Sequence, residues 1–467
     1  MYKIVLLNPP MNPEEAYGDV SDFGSISPPT GLCYIAANIR EKGYEVSILD
    51  AEALHLSINE TVNRILDEKP DVVGVACKTL WLTNGYKVIS SIKEQMPNII
   101  VVAGGNHITA IPEQTLDEFP LFDILVIGEG EITFAELLKT LENKLDLDEV
   151  KGIAYNKNGQ KIFTGTRERI ENLDILPLPA YDLLPELKTH YYPVFNNVDN
   201  FPAFSIMNSR GCFGKCTFCD RGTFGNKITR HGSKYVVDLI QILKNEYKIK
   251  YLVFDDDNFV VNKKYLFEIL DLMIERKIKM PFTCESRVDT IDEEKIIKLK
   301  KAGCTRIMYG VESGSQKMLD LMNKHITLNK IKETIKLTQK HKIKTLGYMM
   351  IGFPGETKGS LEETVKFIQE LNMFDIAVSV FTPLPGAEIY KSVNQLENFE
   401  EKWDRPDSLK DPNYIPKGLT KENIQYYVEA YYNACYNKWW QYLKLPMRMK
   451  TIKHAKLVIK GMLKIKK

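Results

Sequence analysis

No uninterrupted apolar run in the 467-residue chain approaches the roughly 18 residues that a membrane-spanning helix needs, so the sequence predicts a soluble protein, at most peripheral to a membrane. Nor does one sign of charge dominate. The 62 basic and 61 acidic residues leave a net +1, and no global field favours nucleic acid. Beyond the short Ile4-Val5-Leu6-Leu7 there is no apolar leader, and eight cysteines are few for a chain of this size. Both predict reduced thiols in the cytoplasm rather than a secreted disulfide framework. A GxGxxG after the first strand is also missing, which weakens a nicotinamide reading. The length itself points to two or three domains.

What the sequence does have is Ser209-Arg210-Gly211-Cys212-Phe213-Gly214-Lys215-Cys216-Thr217-Phe218-Cys219. Three thiols at CxxxCxxC spacing, on a loop with two glycines, can converge on one iron-sulfur cube. Such clusters usually take four cysteines; three would leave one iron open, as a catalytic zinc keeps an open position. A zinc site completed by His231 or Cys304 is the competing arrangement.

Residues 1–150 alternate short β-branched runs with amphipathic stretches: Ile4 to Leu7, Val46 to Leu49, Val72 to Ala76, Ile99 to Ala103 and Ile124 to Ile127. This predicts a doubly wound, Rossmann-like α/β domain with a parallel sheet. Ligands of such sheets sit beyond the carboxyl ends of the strands. Here those ends read Asn8-Pro9-Pro10, Asp50, Cys77-Lys78-Thr79, Gly104-Gly105-Asn106-His107 and Gly128-Glu129-Gly130-Glu131. Glycines there admit a bulky or phosphate-bearing ligand close to the backbone; each could also be a tight βα turn.

Residues 151–200 read as a bridge. A hairpin signal at Asn156-Lys157-Asn158-Gly159 precedes an extended, proline-rich linker, Leu176 to Pro185. Residues 201–390 repeat a strand-loop-helix unit six times, two short of a full barrel, which predicts a partial (β/α)6 barrel with its site at the carboxyl face. After the cysteine loop, the later strand ends carry Asp255-Asp256-Asp257-Asn258, Glu285-Ser286-Arg287, Gly310-Val311-Glu312-Ser313-Gly314, Gly352-Phe353-Pro354-Gly355-Glu356-Thr357 and Pro383-Leu384-Pro385-Gly386.

Over roughly residues 1–390 the chain resembles the B12-binding (cobalamin-dependent) radical SAM protein family. Pro28-Pro29-Thr30-Gly31-Leu32 and the 104–107 and 128–131 turns look like its cobalamin domain, and the cysteine motif with Phe218 before the third thiol looks like its cluster signature. The run Met349 to Thr357 is similar to its fifth-strand motif. The resemblance implies a [4Fe-4S] cluster on Cys212, Cys216 and Cys219, S-adenosylmethionine (SAM) on the open iron, and cobalamin over Asn8, Pro9, Thr79, Gly104, Gly105, Gly128, Glu129 and Gly130. The DxHxxG motif of classical B12 proteins is absent, so a lower-face histidine is not expected from that position, and His107 is the one substitute in view.

For SAM, the resemblance implies that Asp255, Asp256 and Asp257 hold the methionine ammonium, which carboxylates suit, although a helix N-cap would also use them. Glu312 and Ser313 would hold ribose or the methionine end, and Glu285 and Arg287 ribose or carboxylate; Arg287 could instead pair with Asp289. Gly352 and Gly355 would face adenine or serve a plain loop. Cys284, Cys304 and Cys435 read as structural. No residue is assigned a catalytic role.

The function implied is methyl transfer to an unactivated carbon through a 5′-deoxyadenosyl radical and methylcobalamin, with an external electron donor of flavodoxin or ferredoxin type and a small-molecule or lipid-like substrate. An oxidative cyclase, or another carbon-skeleton change without methyl transfer, uses the same parts; a non-catalytic corrinoid sensor or scaffold is the reading outside enzymology. Methylthiolation is disfavoured, because that reaction's family carries three further N-terminal cysteines and this half has only Cys33 and Cys77. Residues 391–467 hold an aromatic stripe (Trp403, Tyr414, Tyr426, Tyr427, Tyr431, Tyr432, Tyr436, Trp439, Trp440), expected either to cap the barrel mouth or to be ordinary core. A basic tail from Lys438 follows, expected either to be solvated or to touch a membrane surface.

Overall fold

A computed structural model describes residues 1–11, 24–194, 197–393, 399 and 412–436. The first sheet contains β1 (Lys3–Asn8), β2 (Glu45–Asp50), β3 (Val72–Ala76), β4 (Ile100–Gly104), β5 (Ile124–Val126), β6 (Ile153–Lys157) and β7 (Gln160–Phe163). They lie in the order β2-β1-β3-β4-β5-β6-β7. The first five are parallel, and β6 and β7 are antiparallel to their neighbours. Near-continuous apolar runs in β1, β3 and β4 are what a sheet buried on both faces needs. Ile4, Leu6, Val72 and Val102 face one core, whereas Val5, Leu7, Val73, Val75 and Val101 face another, as a period of two requires. The hairpin turns at Asn158 (φ +54°) and Gly159 (φ +80°). Instead of standing apart as a bridge, it extends the first sheet, because Ile153 to Tyr155 pair with β5.

The second sheet is wholly parallel, in the order Asp375–Val380, Lys344–Ile351, Cys304–Glu312, Phe282–Ser286, Tyr251–Phe254, Ala203–Ile206. Its strands are β8 (Ala203–Ile206), β11 (Tyr251–Phe254), β12 (Phe282–Ser286), β13 (Cys304–Glu312), β14 (Lys344–Ile351) and β15 (Asp375–Val380). This is the expected six-stranded partial barrel. A short antiparallel ribbon, β9 (Ser209–Arg210) with β10 (Thr229–Arg230), holds the two ends of the cysteine loop. Helices begin where the sequence offers caps: Asn262 on Tyr265 N, Asp292 on Lys295 N, and Thr357 in a capping box with Ser360.

The described part of the aromatic stripe is mostly core, with Tyr426 exposed. In the helix Lys421–Tyr436, Ile424, Tyr427, Val428 and Tyr431 are buried, and Val378 N on edge strand β15 donates to Tyr432 Oη at 3.4 Å. Its rings close an otherwise open sheet edge. Trp403, Trp439, Trp440 and the basic tail lie outside the described residues. No helix among the described residues is long and apolar enough to cross a membrane.

Candidate cofactor and radical site

The cysteine loop is tied down before it reaches its first thiol. Gly211 has φ +94°, and a Cβ there would stand 2.5 Å from Lys227 O, so only glycine fits. A Cβ on Gly214 would lie 3.4 Å from Cys212 Sγ, 3.5 Å from Arg287 Nη1 and 3.9 Å from Cys216 Sγ, so two thiols and a guanidinium surround one glycine. Arg287 Nη1 also donates toward Cys216 Sγ at 3.7 Å. Burial, with Asp257 and the two companion thiols, pushes Cys219 up to about 12, and burial raises Cys212 as well. Such thiols become thiolates readily only beside a strong positive charge, which iron supplies; the donor set fits a cluster.

The zinc partners are elsewhere engaged. His231 stacks on Tyr235 at 3.9 Å and its Nε2 lies 3.0 Å from Tyr34 Oη. Cys304 Sγ lies 3.2 Å from Arg306 O inside the barrel wall.

The aspartate run is not a helix cap, because the next helix starts at Lys263 with Asn262 as its N-cap. Its three carboxylates diverge. Asp256 is fully buried and turned inward, accepting from Asn208 N (3.1 Å), Ser209 N (2.5 Å) and Ser209 Oγ (2.6 Å). It therefore anchors the strand that leads into the cysteine loop, and burial lifts it to about 7. Asp255 and Asp257 open to the barrel mouth but are recessed within its walls. Burial and Asp257 raise Asp255; burial raises Asp257, which a hydrogen bond from the Gly211 backbone partly offsets.

Glu285 projects into the same region. Burial and then Asp255 push it up to about 8, against the Tyr348 hydroxyl that donates to it at 2.8 Å. Arg287 pairs with Asp289 at 2.8 Å, the alternative to a SAM contact, while its Nη1 reaches Cys216 Sγ.

Register slips between Gly310 and Glu312 where β13 meets β14, and Glu312 takes φ +65°. Holding a glutamate there costs about 1–3 kcal/mol, and the bulge turns its carboxylate onto Lys324 Nζ at 2.6 Å. Ser313 faces inward: its Oγ accepts from Ser315 N at 3.1 Å and meets Thr364 Oγ1 at 3.2 Å. Gly352 (φ +88°) and Gly355 (φ +87°) make the fifth turn, fixed by Glu356, whose carboxylate accepts from Gly352 N.

Glu356 is 1% exposed, and its Oε1 has no hydrogen-bond partner among the described residues. Burial, only partly offset by the backbone N–H groups of Gly352 and Phe353, lifts it to about 8. Unfolded glutamate titrates at about 4.3. Between those values the folded chain keeps a proton that the unfolded chain releases, so this group's contribution to stability is full at low pH and falls as pH rises. Glu356→Gln removes the dependence: relative to the variant, wild type should lose on the order of 3 kcal/mol between pH 5 and 8 in paired denaturation curves. Parallel curves would refute it.

In the first domain, Asn8 is buried, its amide donating to Asp50 Oδ1 (2.8 Å) and Glu52 Oε2 (3.3 Å). Pro9 packs on Gly85, and Thr79 Oγ1 lies 3.4 Å from His107 Nδ1. Burial drives the His107 ring down to about 4, hence neutral. Gly104 continues β4, and a Cβ on Gly105 would sit 2.6 Å from Cys77 O. Gly128 has φ +81° with nothing within 4 Å of a Cβ, and Gly130 opens the helix Gly130–Glu142. These turns, save the inward Asn8 and Glu129, share the carboxyl edge of the first sheet, a cradle of strand ends left open at Gly128.

The domains meet at this edge. Thr109 and Ala110 lie against Gly222 and Gly386 beside the cysteine loop. Glu129 and Glu131 reach Arg210, two residues before Cys212, at 2.7 and 2.6 Å. Burial works against the Arg210 charge, but Glu131 and Glu129 overcome it and hold the guanidinium firmly protonated. Arg210, Glu131, Tyr348 and Lys324 were not singled out by the sequence; only the position of Arg210 beside the first cysteine and the second glutamate of the 128–131 turn hinted at them.

The B12 binding domain family matches residues 18–138, and the Radical SAM superfamily matches residues 208–368. A protein of Pyrococcus horikoshii described as uncharacterized methyltransferase PH0819 is 34% identical over 437 residues, spanning 93% of this chain and 92% of that one. The chain belongs to the B12-binding radical SAM family. Its cofactors are thus a [4Fe-4S] cluster, SAM and cobalamin, and it is a radical SAM enzyme. Another relative is the anaerobic magnesium-protoporphyrin IX monomethyl ester cyclase of Rubrivivax gelatinosus, 29% identical over 406 residues, spanning 85% of this chain and 72% of that one. In fold, this family member is similar to the radical SAM methyltransferase TsrM of Kitasatospora setae, solved with cobalamin and a [4Fe-4S] cluster bound (TM-score 0.70, 16% identity, 93% of this chain and 89% of that one).

Proposed function

We propose that the enzyme is a cobalamin-dependent methyltransferase acting on an unactivated carbon of a small molecule, with reducing electrons from an external carrier protein. The observation that carries this reading is the contact of the cobalamin-domain turns with the cysteine loop, through Arg210 and through Thr109 and Ala110. Bound in these faces, the cluster would supply the electron that cleaves SAM and the corrinoid would supply the methyl group. Cys212, Cys216 and Cys219 hold the cluster. Asp255 and Asp257 face the mouth and take the methionine ammonium; Glu285, lifted to about 8, keeps a proton at neutral pH and donates to ribose or carboxylate. Glu312, fixed by Lys324, orients the ribose or methionine end, and the turn at Gly352 and Gly355 lies along adenine. Asp256 and Ser313 act beneath this surface as supports for the loops that make it.

The test needs no known substrate. Anaerobically reconstituted protein is given dithionite and SAM, with and without cobalamin. Deoxyadenosine should form in both samples, and S-adenosylhomocysteine only with cobalamin. A cluster-loaded sample that forms no deoxyadenosine would sink the reading. The cyclase-like relative motivates a second reading, in which deoxyadenosine forms but cobalamin adds no S-adenosylhomocysteine.

A further inference from the structure

The 128–131 turn does two things at once. Gly128 stands in open space at the strand end, while the side chains of Glu129 and Glu131 reach Arg210 at the domain boundary. There Arg210 is 6% exposed, with Nη1 on Glu129 Oε1 and Nη2 on Glu131 Oε1. Rings of Tyr34 and Phe224 lie 5.5 Å from its guanidinium carbon. The second oxygen of Glu129 accepts from Ile170 N at 2.8 Å, so the bridge segment is held by the same carboxylate. Arg169 Nη2 bonds Thr229 Oγ1 at 2.9 Å, behind β9 and β10.

A buried ion network of this kind is a poor source of stability compared with apolar packing, and its best-attested use is to fix register. A planar guanidinium spanning two carboxylates fixes distance and direction together, which a lysine ammonium cannot do. The chain then has one residue, the sterically obligatory Gly211, between this fork and Cys212. The turn beside the cradle therefore cannot shift without moving the base of the cysteine loop.

We infer that Arg210 is a positioning residue that, through Glu129 and Glu131, sets the separation and orientation of the corrinoid relative to the cluster. The inference rests on the proposed binding faces for both cofactors. On this view Glu129, which the sequence assigned to cobalamin, serves the protein side of its turn.

The holoenzyme tests it by electron paramagnetic resonance, with the cluster reduced and the corrinoid loaded as cob(II)alamin. Each centre then carries unpaired spin, and their mutual splitting reports distance and angle. Wild type should show a defined splitting. Arg210→Lys and Glu131→Gln, at unchanged iron and corrinoid content, should shift or lose it. Should Arg210→Lys fail to load either centre, Glu131→Gln decides, because it keeps the side-chain shape and half of the fork. An unchanged splitting in a loaded variant, even one with lowered thermal stability, overturns the inference and leaves the clamp merely structural. Both centres bound in wild type without any splitting would overturn the proposed facing of the two cofactors, and this inference with it.

Discussion

Cys216→Ser yields a folded protein whose deoxyadenosine formation falls to that of a protein-free control. Cys216 is the middle thiol of the loop and the most enclosed, 8% exposed, with Arg287 Nη1 at 3.7 Å. With only three protein ligands available, each holds a third of the cluster's attachment, and a serine hydroxyl is a poor ligand for an iron that selects soft thiolate. Folding should survive, because the loop is held from outside: Thr217 N on Met322 O, Gly211 against Lys227, and Arg210 on the first domain. The contrast is Cys304→Ser, which sits in β13 with its thiol on a backbone carbonyl. There the loss is one of packing, about 1 kcal/mol, with cluster and turnover kept. Iron content, visible absorbance and deoxyadenosine yield read both variants. A Cys216→Ser protein with full iron and activity would remove the loop from the cluster altogether.

The residues whose role is set by local chemistry were legible from sequence; those whose role is set by a distant partner were not. The CxxxCxxC spacing and the glycine-rich strand ends are local patterns, and the structure puts both at carboxyl ends of parallel strands. Six strands were read correctly in number, but β13 runs to Glu312 because a bulge carries it past Tyr309. No local pattern distinguishes Asp256, which is turned inward onto residues 208 and 209, from Asp255 and Asp257 beside it. Glu129 looked like part of a cofactor turn because it stands between two glycines at a strand end; that its carboxylate serves an arginine 81 positions later is a tertiary fact. The tyrosines of the last helix could have covered the mouth or the sheet edge, and the bonds of Tyr432 and Tyr436 to β15 decide for the edge.

The second large effect belongs to Gly105→Ala, which should abolish corrinoid uptake while leaving cobalamin-independent deoxyadenosine formation in place. Gly105 has φ +133°, which an alanine adopts only with strain, and the added methyl would lie 2.6 Å from Cys77 O and 3.0 Å from Cys77 C. Those are backbone atoms at the end of β3, where Cys77 N already donates to Gly104 O at 2.7 Å, so relief requires prising the carboxyl ends of β3 and β4 apart. Backbone strain alone costs about 1–3 kcal/mol, and the clash adds to it. Thr79 and His107 ride on those two strand ends, so the cradle opens with them. Gly128→Ala separates distortion of the fold from obstruction of the ligand. Its φ of +81° imposes a similar strain, but the methyl meets nothing within 4 Å and stands in open space at the strand end proposed to carry the corrinoid. Its expected signature is a modest loss of thermal stability, about 1 kcal/mol, with cobalamin affinity reduced about tenfold, equivalent to about 1.4 kcal/mol of lost binding. Titration of each apo-variant with hydroxocobalamin, followed by absorbance, reads both effects. Wild-type affinity in Gly128→Ala would place the corrinoid away from this turn, and wild-type affinity in Gly105→Ala would mean that the β3 and β4 ends do not carry it.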